Sequence, residues 1–294
     1  LAGVRAAVAA ERDRVGDGEW VLGFALAYEA FDEVEGGMSA DLFEDVLRGA
    51  PMLLKCFDFH TALVSREALR LAGVDGPRTF EELAEVVCVD GVPTGELREW
   101  GAMSLVEDVV PVPQGDDLLR LYRDTFARHN AVGLTGAHVM LGDPDLLATC
   151  AELDARGWLT SRLVVPLTFT PETTQEQLDA WLVHRDARGR RFRAGAAKFF
   201  IDGVMETGTA WLEEPDTLGR GTSPFWPDPA WYAECVRQAA AAGFQCITHS
   251  VGDGGVRWAL NSYEAARAFS QNGLNGPHRI EHDELVEPVD VPRF

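Results

Sequence analysis

At 294 residues and 46% hydrophobic content, the chain is long enough for one large α/β domain of about 250 residues plus an added segment. Its 26 Lys plus Arg against 47 Asp plus Glu give a net charge of −21, a surface that repels phosphate backbones and excludes nucleic acid as an expected partner. No apolar run approaches the roughly 18 residues of a membrane span, so no membrane partner is expected either. Five cysteines, Cys56, Cys88, Cys150, Cys235 and Cys246, form no C-x-x-C pair, and their odd number argues for a reduced, cytoplasmic setting. There is no signal peptide, and a chain that opens with Leu1 rather than methionine is expected to be a piece of a longer protein.

Residues 1–115 read as a mixed α+β region. Ala2 to Arg14 has helical composition, Trp20 to Phe24 is a short strand, and the acidic stretch from Tyr28 to Gly37 is a solvated loop. Met52 to Phe57 is a second strand, followed by a helix capped by Ser65 and closed by Gly73. Thr79 and Glu82 match a capping box and predict a helix that buries Leu83, Val86 and Val87. Asp90-Gly91 is a turn between short extended pieces.

Residues 116–294 alternate helix and strand regularly. Asp117 to His129 is an amphipathic helix and Leu134 to Met140 a strand; Asp143 with Pro144 starts a helix that Gly157 ends. Arg162 to Phe169 is a buried strand rich in Leu and Val, Thr173 to Ala187 a helix, and Ala194 to Ile201 the third strand. Asp228 and Pro229 repeat the Asp-Pro start, and Gly243 closes that helix before a fourth strand at 244–248. Asp253 to Phe269 is the last helix, with Val256, Leu260, Tyr263, Ala266 and Phe269 along one face, and a fifth strand runs up to His282.

Three of these strands end in, or carry, a residue able to bind metal: Lys198 in the third, His249 just after the fourth and His282 at the end of the last. They are 51 and 33 residues apart, yet strand ends that converge on one mouth of a parallel barrel can bring such residues to one ion. Imidazole suits zinc, iron or nickel, and a catalytic metal needs several ligands plus an open position. An ammonium has no lone pair, so a lysine there implies a neutral amine or a carbamate formed with carbon dioxide, whose two oxygens bridge two cations. On spacing alone, a satisfied strand-end histidine and a lysine paired with Asp202 stand beside this reading.

The segments Ala-Lys-Phe-Phe-Ile-Asp-Gly (197–203), Thr-His-Ser-Val-Gly-Asp (248–253) and His-Arg-Ile-Glu-His (278–282) resemble, in order and spacing, signature blocks of the amidohydrolase superfamily, in particular its family 3, YtcJ-like branch. Lesser blocks at 18–23, 58–69 and 91–97 agree, so the resemblance spans nearly the whole chain. It implies a TIM-type (β/α)8 barrel. The five visible strands would be its second to sixth, and the region before residue 116 an insertion packed on the barrel. It further implies one or two divalent ions, zinc foremost, bound by Lys198 as a carboxylated lysine, by His249 and by His282. The family's first-strand His-x-His and eighth-strand catalytic aspartate are not found, so the general base is expected outside this chain and the isolated chain is expected to be inactive. An open barrel is also expected to expose strand edges and to self-associate.

The chemistry the resemblance implies is hydrolysis of a small-molecule amide, such as an N-acyl or N-formyl amine, by metal-activated water. His60 is a candidate substrate contact, with a hydrogen-bonded loop histidine as the equal alternative. Asp253 either orients His249 from behind or starts the next helix. Glu281 and Arg279 suggest an ion pair with a neighbouring strand, and Asp202 a hydrogen-bond acceptor or a simple turn. Trp226 and Trp231 are expected to anchor the long 203–220 loop rather than line a pocket. A second functional class, a non-catalytic barrel portion that binds a small ligand or partner, stands beside the hydrolase.

Overall fold

The computed structural model describes residues 1–80, 83–269 and 276–294. Two compact units are present, Leu1–Pro111 and Val112–Phe294.

In the first unit, α1 (Ala2–Arg14) leads into β1 (Val21–Leu26), α2 (Glu44–Leu47), β2 (Met52–Cys56), β3 (Thr61–Val64) and α3 (Arg66–Leu71). Then follow β4 (Glu85–Val89), β5 (Val92–Arg98) and α4 (Glu99–Glu107). The strands form one sheet in the order β1-β2-β3-β5-β4, parallel only between β1 and β2. Strand alternation gives the sheet two apolar faces. Met52, Leu54 and Cys56 pack with Val8, Phe43 and Leu47, while Leu53 packs with Leu69, Val86, Leu97 and Met103 on the other side. Ser65 Oγ accepts the Ala68 N–H at 3.2 Å and caps α3 as its sequence suggests.

The helix expected after Thr79 is not formed: Glu85–Val89 is strand β4, and Glu82 lies outside the described residues. Val89 pairs with Val92 across Asp90 and Gly91, both left-handed at φ 51° and 80°. That is the two-residue hairpin turn whose twist suits paired strands, and the β-branched Val86, Val87 and Val89 prefer it.

The second unit runs α5 (Gly115–Ala131), β6 (Gly136–His138), α6 (Pro144–Ala155), β7 (Arg162–Val164), β8 (Leu167–Thr168) and α7 (Gln175–Leu182). It continues with β9 (Phe192–Arg193), β10 (Ala196–Phe200), α8 (Pro229–Ala241), β11 (Gln245–Ser250), α9 (Asp253–Ala266) and β12 (Arg279–His282). Both Asp-Pro starts work as read. Asp143 Oδ1 accepts the Leu146 N–H at 2.7 Å and Asp228 Oδ1 the Ala230 N–H at 2.9 Å, while Gly157 and Gly243 turn left-handed past the helix ends. No helix among the described residues is long and apolar enough to cross a membrane.

All the strand pairs here are parallel, but they make two sheets, β6-β7-β9 and β8-β10-β11-β12, which do not close into a barrel. The expected single strand from Arg162 to Phe169 is divided between them. Pro166, which has no N–H to give the ladder, stands at the break, and Gly195 at φ 95° breaks the next strand between β9 and β10. Behind the second sheet, Phe199 packs on Phe169, Trp226 and Tyr232 with ring centroids 5.6, 6.2 and 5.4 Å away. With Phe199 committed to that aromatic core, its neighbours Lys198 and Phe200 turn to the opposite face.

Candidate metal centre

Register decides which side chains can meet, because paired residues of parallel strands share a face. Lys198 pairs with Ile247 and then Arg279, and Phe200 with His249 and then Glu281. Lys198, His249, Arg279 and Glu281 therefore share one face, while Thr248 on the other accepts from the Tyr263 hydroxyl at 2.7 Å and shares a hydrogen bond with the Tyr232 hydroxyl at 2.8 Å. His282 pairs with Ser250, and simple alternation would send it to that second face. Its backbone, however, is left-handed at φ 85°, and its ring lies 4.5 Å from that of His249. Asp283 follows at φ 50°. Two successive left-handed non-glycine residues cost about 1–3 kcal/mol each and are concentrated where function holds them.

Lys198 is 1% exposed, with Nζ 4.3 Å from the centre of the Phe200 ring. Burial pushes its amine down to about 8; Glu281 pulls the other way and Arg279 adds to the fall. His249, 3% exposed, donates from Nε2 to the Gly203 carbonyl at 2.9 Å. A neutral ring that donates from Nε2 carries its lone pair on Nδ1. This is how metal-binding histidines are generally held, the second nitrogen fixed by a carbonyl or carboxylate.

Asp202 is the carboxylate within 4.0 Å of His249, 3.8 Å from Nε2, and is fully buried. It accepts N–H groups from Trp211 at 2.9 Å, Val251 at 3.0 Å and Gly252 at 2.8 Å. One carboxylate thus joins the end of β10, the turn after β11 and the loop that follows Gly203. The close approach requires glycine: a Cβ on Gly252 would lie 2.1 Å from the Trp211 carbonyl. Asp253, read as orienting His249 or starting the next helix, stands at the start of α9 and accepts the Glu213 and Gly254 N–H groups, each at 3.0 Å. Sequence reasoning offers Asp202 as a hydrogen-bond acceptor or a simple turn, and it is an acceptor three times over.

Arg279 pairs with Glu281 on its own strand rather than across to a neighbour, and donates to His138 Nδ1 at 3.2 Å. Trp226 Nε1 donates to the Phe200 carbonyl at 2.9 Å and Trp231 Nε1 to that of Thr173 at 3.0 Å, so both tryptophans anchor their segment.

His60 belongs to the first unit. It is 4% exposed, with Nδ1 2.7 Å from Glu99 Oε2. Glu99, itself buried, is left-handed at φ 61°, and its N–H donates to the His60 carbonyl at 2.7 Å. Nothing in the local sequence marks Glu99 as this partner.

Among the described residues, no group of three or more His, Cys, Asp and Glu could hold an ion, so the candidate donors are two imidazoles and a lysine. They fit a divalent metal in kind. The His249 lone pair is directed by a fixed tautomer, and burial favours the neutral amine that carbon dioxide requires.

The amidohydrolase family model matches residues 1–294. The chain belongs to the amidohydrolase family. It is 26% identical over 299 residues to the putative amidohydrolase YtcJ of Bacillus subtilis (97% of this chain, 53% of that protein). It is 25% identical over 295 residues to Protein LONG AFTER FAR-RED 3 of Arabidopsis thaliana (95% and 49%). The chain therefore spans about half the length of these relatives. Its structure also resembles that of an uncharacterized metal-dependent hydrolase from Pyrococcus horikoshii, with a TM-score of 0.67 and 20% identity over 98% of this chain and 54% of the other. That likeness shows the amidohydrolase-like α/β fold.

Proposed function

We propose that Lys198, His249 and His282 are ligands in the metal centre of a hydrolase that cleaves carbon–nitrogen bonds other than peptide bonds, in small N-acyl or N-formyl amines. The carrying observation is the meeting of two imidazoles, 4.5 Å between ring centroids, on one sheet with a buried lysine. Zinc suits such a set, one or two ions per chain. Such an ion, when bound, supplies a water acidified toward neutrality and a polarised substrate carbonyl.

The chain's own residues prepare this chemistry. Lys198, as a carbamate, offers two oxygens, and the Phe200 ring shields its stem from water. The Gly203 carbonyl keeps the His249 proton on Nε2, leaving Nδ1 to bind. Asp202 holds the backbone on either side of that carbonyl and of Val251, which limits drift of both strand ends. The left-handed turn at His282 brings the second imidazole across. His60 is proposed as a substrate contact, on the support of its strained, buried pairing with Glu99.

A second reading, a non-catalytic portion that binds a ligand, is favoured by one observation: no third His, Cys, Asp or Glu joins the imidazoles among the described residues. The test is amine release from a panel of N-formyl and N-acetyl amines, with zinc and bicarbonate supplied. Turnover is expected where the general-base aspartate is also supplied, lost at least about a thousandfold in Lys198→Ala and His282→Ala, since removed catalytic groups cost that much; the isolated chain is expected to release no amine. No release with that aspartate supplied, under any metal, would leave the second reading.

A further inference from the structure

We infer that the β6-β7-β9 sheet carries an anion site, a half-open groove of about 720 Å3 that takes a small molecule bearing at least two phosphate or carboxylate groups. Its walls include Arg162, Arg188, Arg190, Arg191 and Arg193. Among the described residues none of the five has a carboxylate oxygen within 4.0 Å, although the chain carries 47 acids. Among the described residues, Arg128 and Arg267 are the other arginines without such a carboxylate. A random spread of charge in so acidic a protein would not collect its unpaired arginines in one place.

The backbone explains how they collect. Arg188 bridges antiparallel to Arg193, so the two side chains stand side by side. Arg193 pairs with Val164 on β7, and Arg162, two residues before Val164, lies on the same face. Arg162 pairs with Gly136, which contributes no side chain to cover it. The bridge depends on a tight turn: a Cβ on Gly189 would lie 2.4 Å from Asp154 Oδ2 and 2.5 Å from the Phe192 ring. Asp154, the carboxylate that touches this turn, accepts the Arg190 backbone N–H at 2.6 Å rather than a guanidinium. Two of the side chains are steadied by neutral acceptors, Arg162 by Thr135 Oγ1 at 3.1 Å and Arg191 by the Thr160 carbonyl at 2.8 Å. Like charges directly across a strand pair destabilise it, and no carboxylate oxygen among the described residues lies within 4.0 Å of Arg188 or Arg193. An anion would offset them, and guanidinium forks match phosphate and carboxylate oxygens in pairs. The size suits a small molecule, and the −21 charge of the chain speaks against a nucleic acid.

The anion site does not rest on the proposed hydrolase, although the groove reaches toward that centre: its lining residue His138 accepts from Arg279, which shares a face with Lys198. Lys198, His249 and His282 lie on the other sheet, toward the C-terminal ends of its strands. The test is calorimetric titration of the chain with tripolyphosphate and, separately, citrate, in chloride buffers of matched ionic strength. Saturable binding is expected with one anion per chain, about a hundredfold weaker in Arg188→Gln/Arg193→Gln, roughly tenfold for each charge-assisted contact removed. Arg128→Gln should bind as the parent does. Should the double variant fail to fold by circular dichroism, Arg190→Gln replaces it, since that side chain makes no hydrogen bond among the described residues; about tenfold weakening is then expected. Preference for tripolyphosphate or citrate assigns the phosphate or carboxylate class. Heats that do not saturate, or a folded double variant as tight as the parent, would overturn the site. So would absence of anion binding together with a dimer, seen by light scattering, that the double variant dissociates; the arginines would then serve a second copy.

Discussion

The sheet β8-β10-β11-β12 buries Lys198, His249 and Asp202, and the two that carry hydrogen bonds are held by backbone: a carbonyl for His249, three N–H groups for Asp202. The sheet β6-β7-β9 of the same unit leaves its edge strand β6 exposed and places unpaired arginines in an open groove. Buried ionisable groups are tolerated where their polar atoms are bonded, as in His249 and Asp202, or where the group turns neutral, as burial favours for the Lys198 amine. Exposed arginines keep their hydration, so the second sheet tolerates charge without partners and leaves it open to a ligand. Within the second unit, the left-handed non-glycine residues among the described ones are His282 and Asp283, at the candidate metal centre.

The largest break in that contrast is Asp202→Ala. It leaves three N–H groups without an acceptor, those of Val251 and Gly252 buried, and urea unfolding should show a loss of about 3–5 kcal/mol, with Asp202→Asn losing less because its carbonyl still accepts. Next comes Lys198 in the metal-free, chelator-treated chain. Its amine titrates at about 8 when folded against 10.5 when free, so between those values the unfolded chain holds more protons and stability climbs with pH. The contribution is fully present above 10.5 and lost as pH falls to about 8, at most about 3 kcal/mol, and Lys198→Met should remove the slope. Gly252→Ala forces a Cβ against the Trp211 carbonyl and should cost about 1–3 kcal/mol by the same urea measurement. Arg190→Gln, in the exposed turn before β9, should stay within about 0.5 kcal/mol of the parent. A large loss there would erase the contrast between the sheets.

What the sequence made legible follows period and punctuation. Lys198, His249 and His282 are visible because each interrupts or ends an apolar run, and the helix starts at Asp143 and Asp228 because an Asp-Pro pair allows little else. The reading of Arg162 to Phe169 as one strand of an incomplete barrel fails because that apolar run hides Pro166, whose missing N–H divides it between two sheets. The Thr79 capping pattern lost to a hairpin fixed by the left-handed Asp90 and Gly91, a contest between local signals that only pairing with β5 resolves. Asp202 serving residues nine to fifty positions away, and Glu99 reaching His60 across 39, are long-range facts with no local signature.

The central claim is that Lys198, His249 and His282 converge on metal. Metal content per chain, measured by plasma mass spectrometry on protein purified without chelator, tests it beside Lys198→Ala and His249→Ala. Zinc, iron or nickel close to one or two per chain in the parent, and lost in both variants while circular dichroism stays unchanged, is the predicted result. A folded parent that holds no metal even after zinc and bicarbonate, or variants that keep it, would contradict the account.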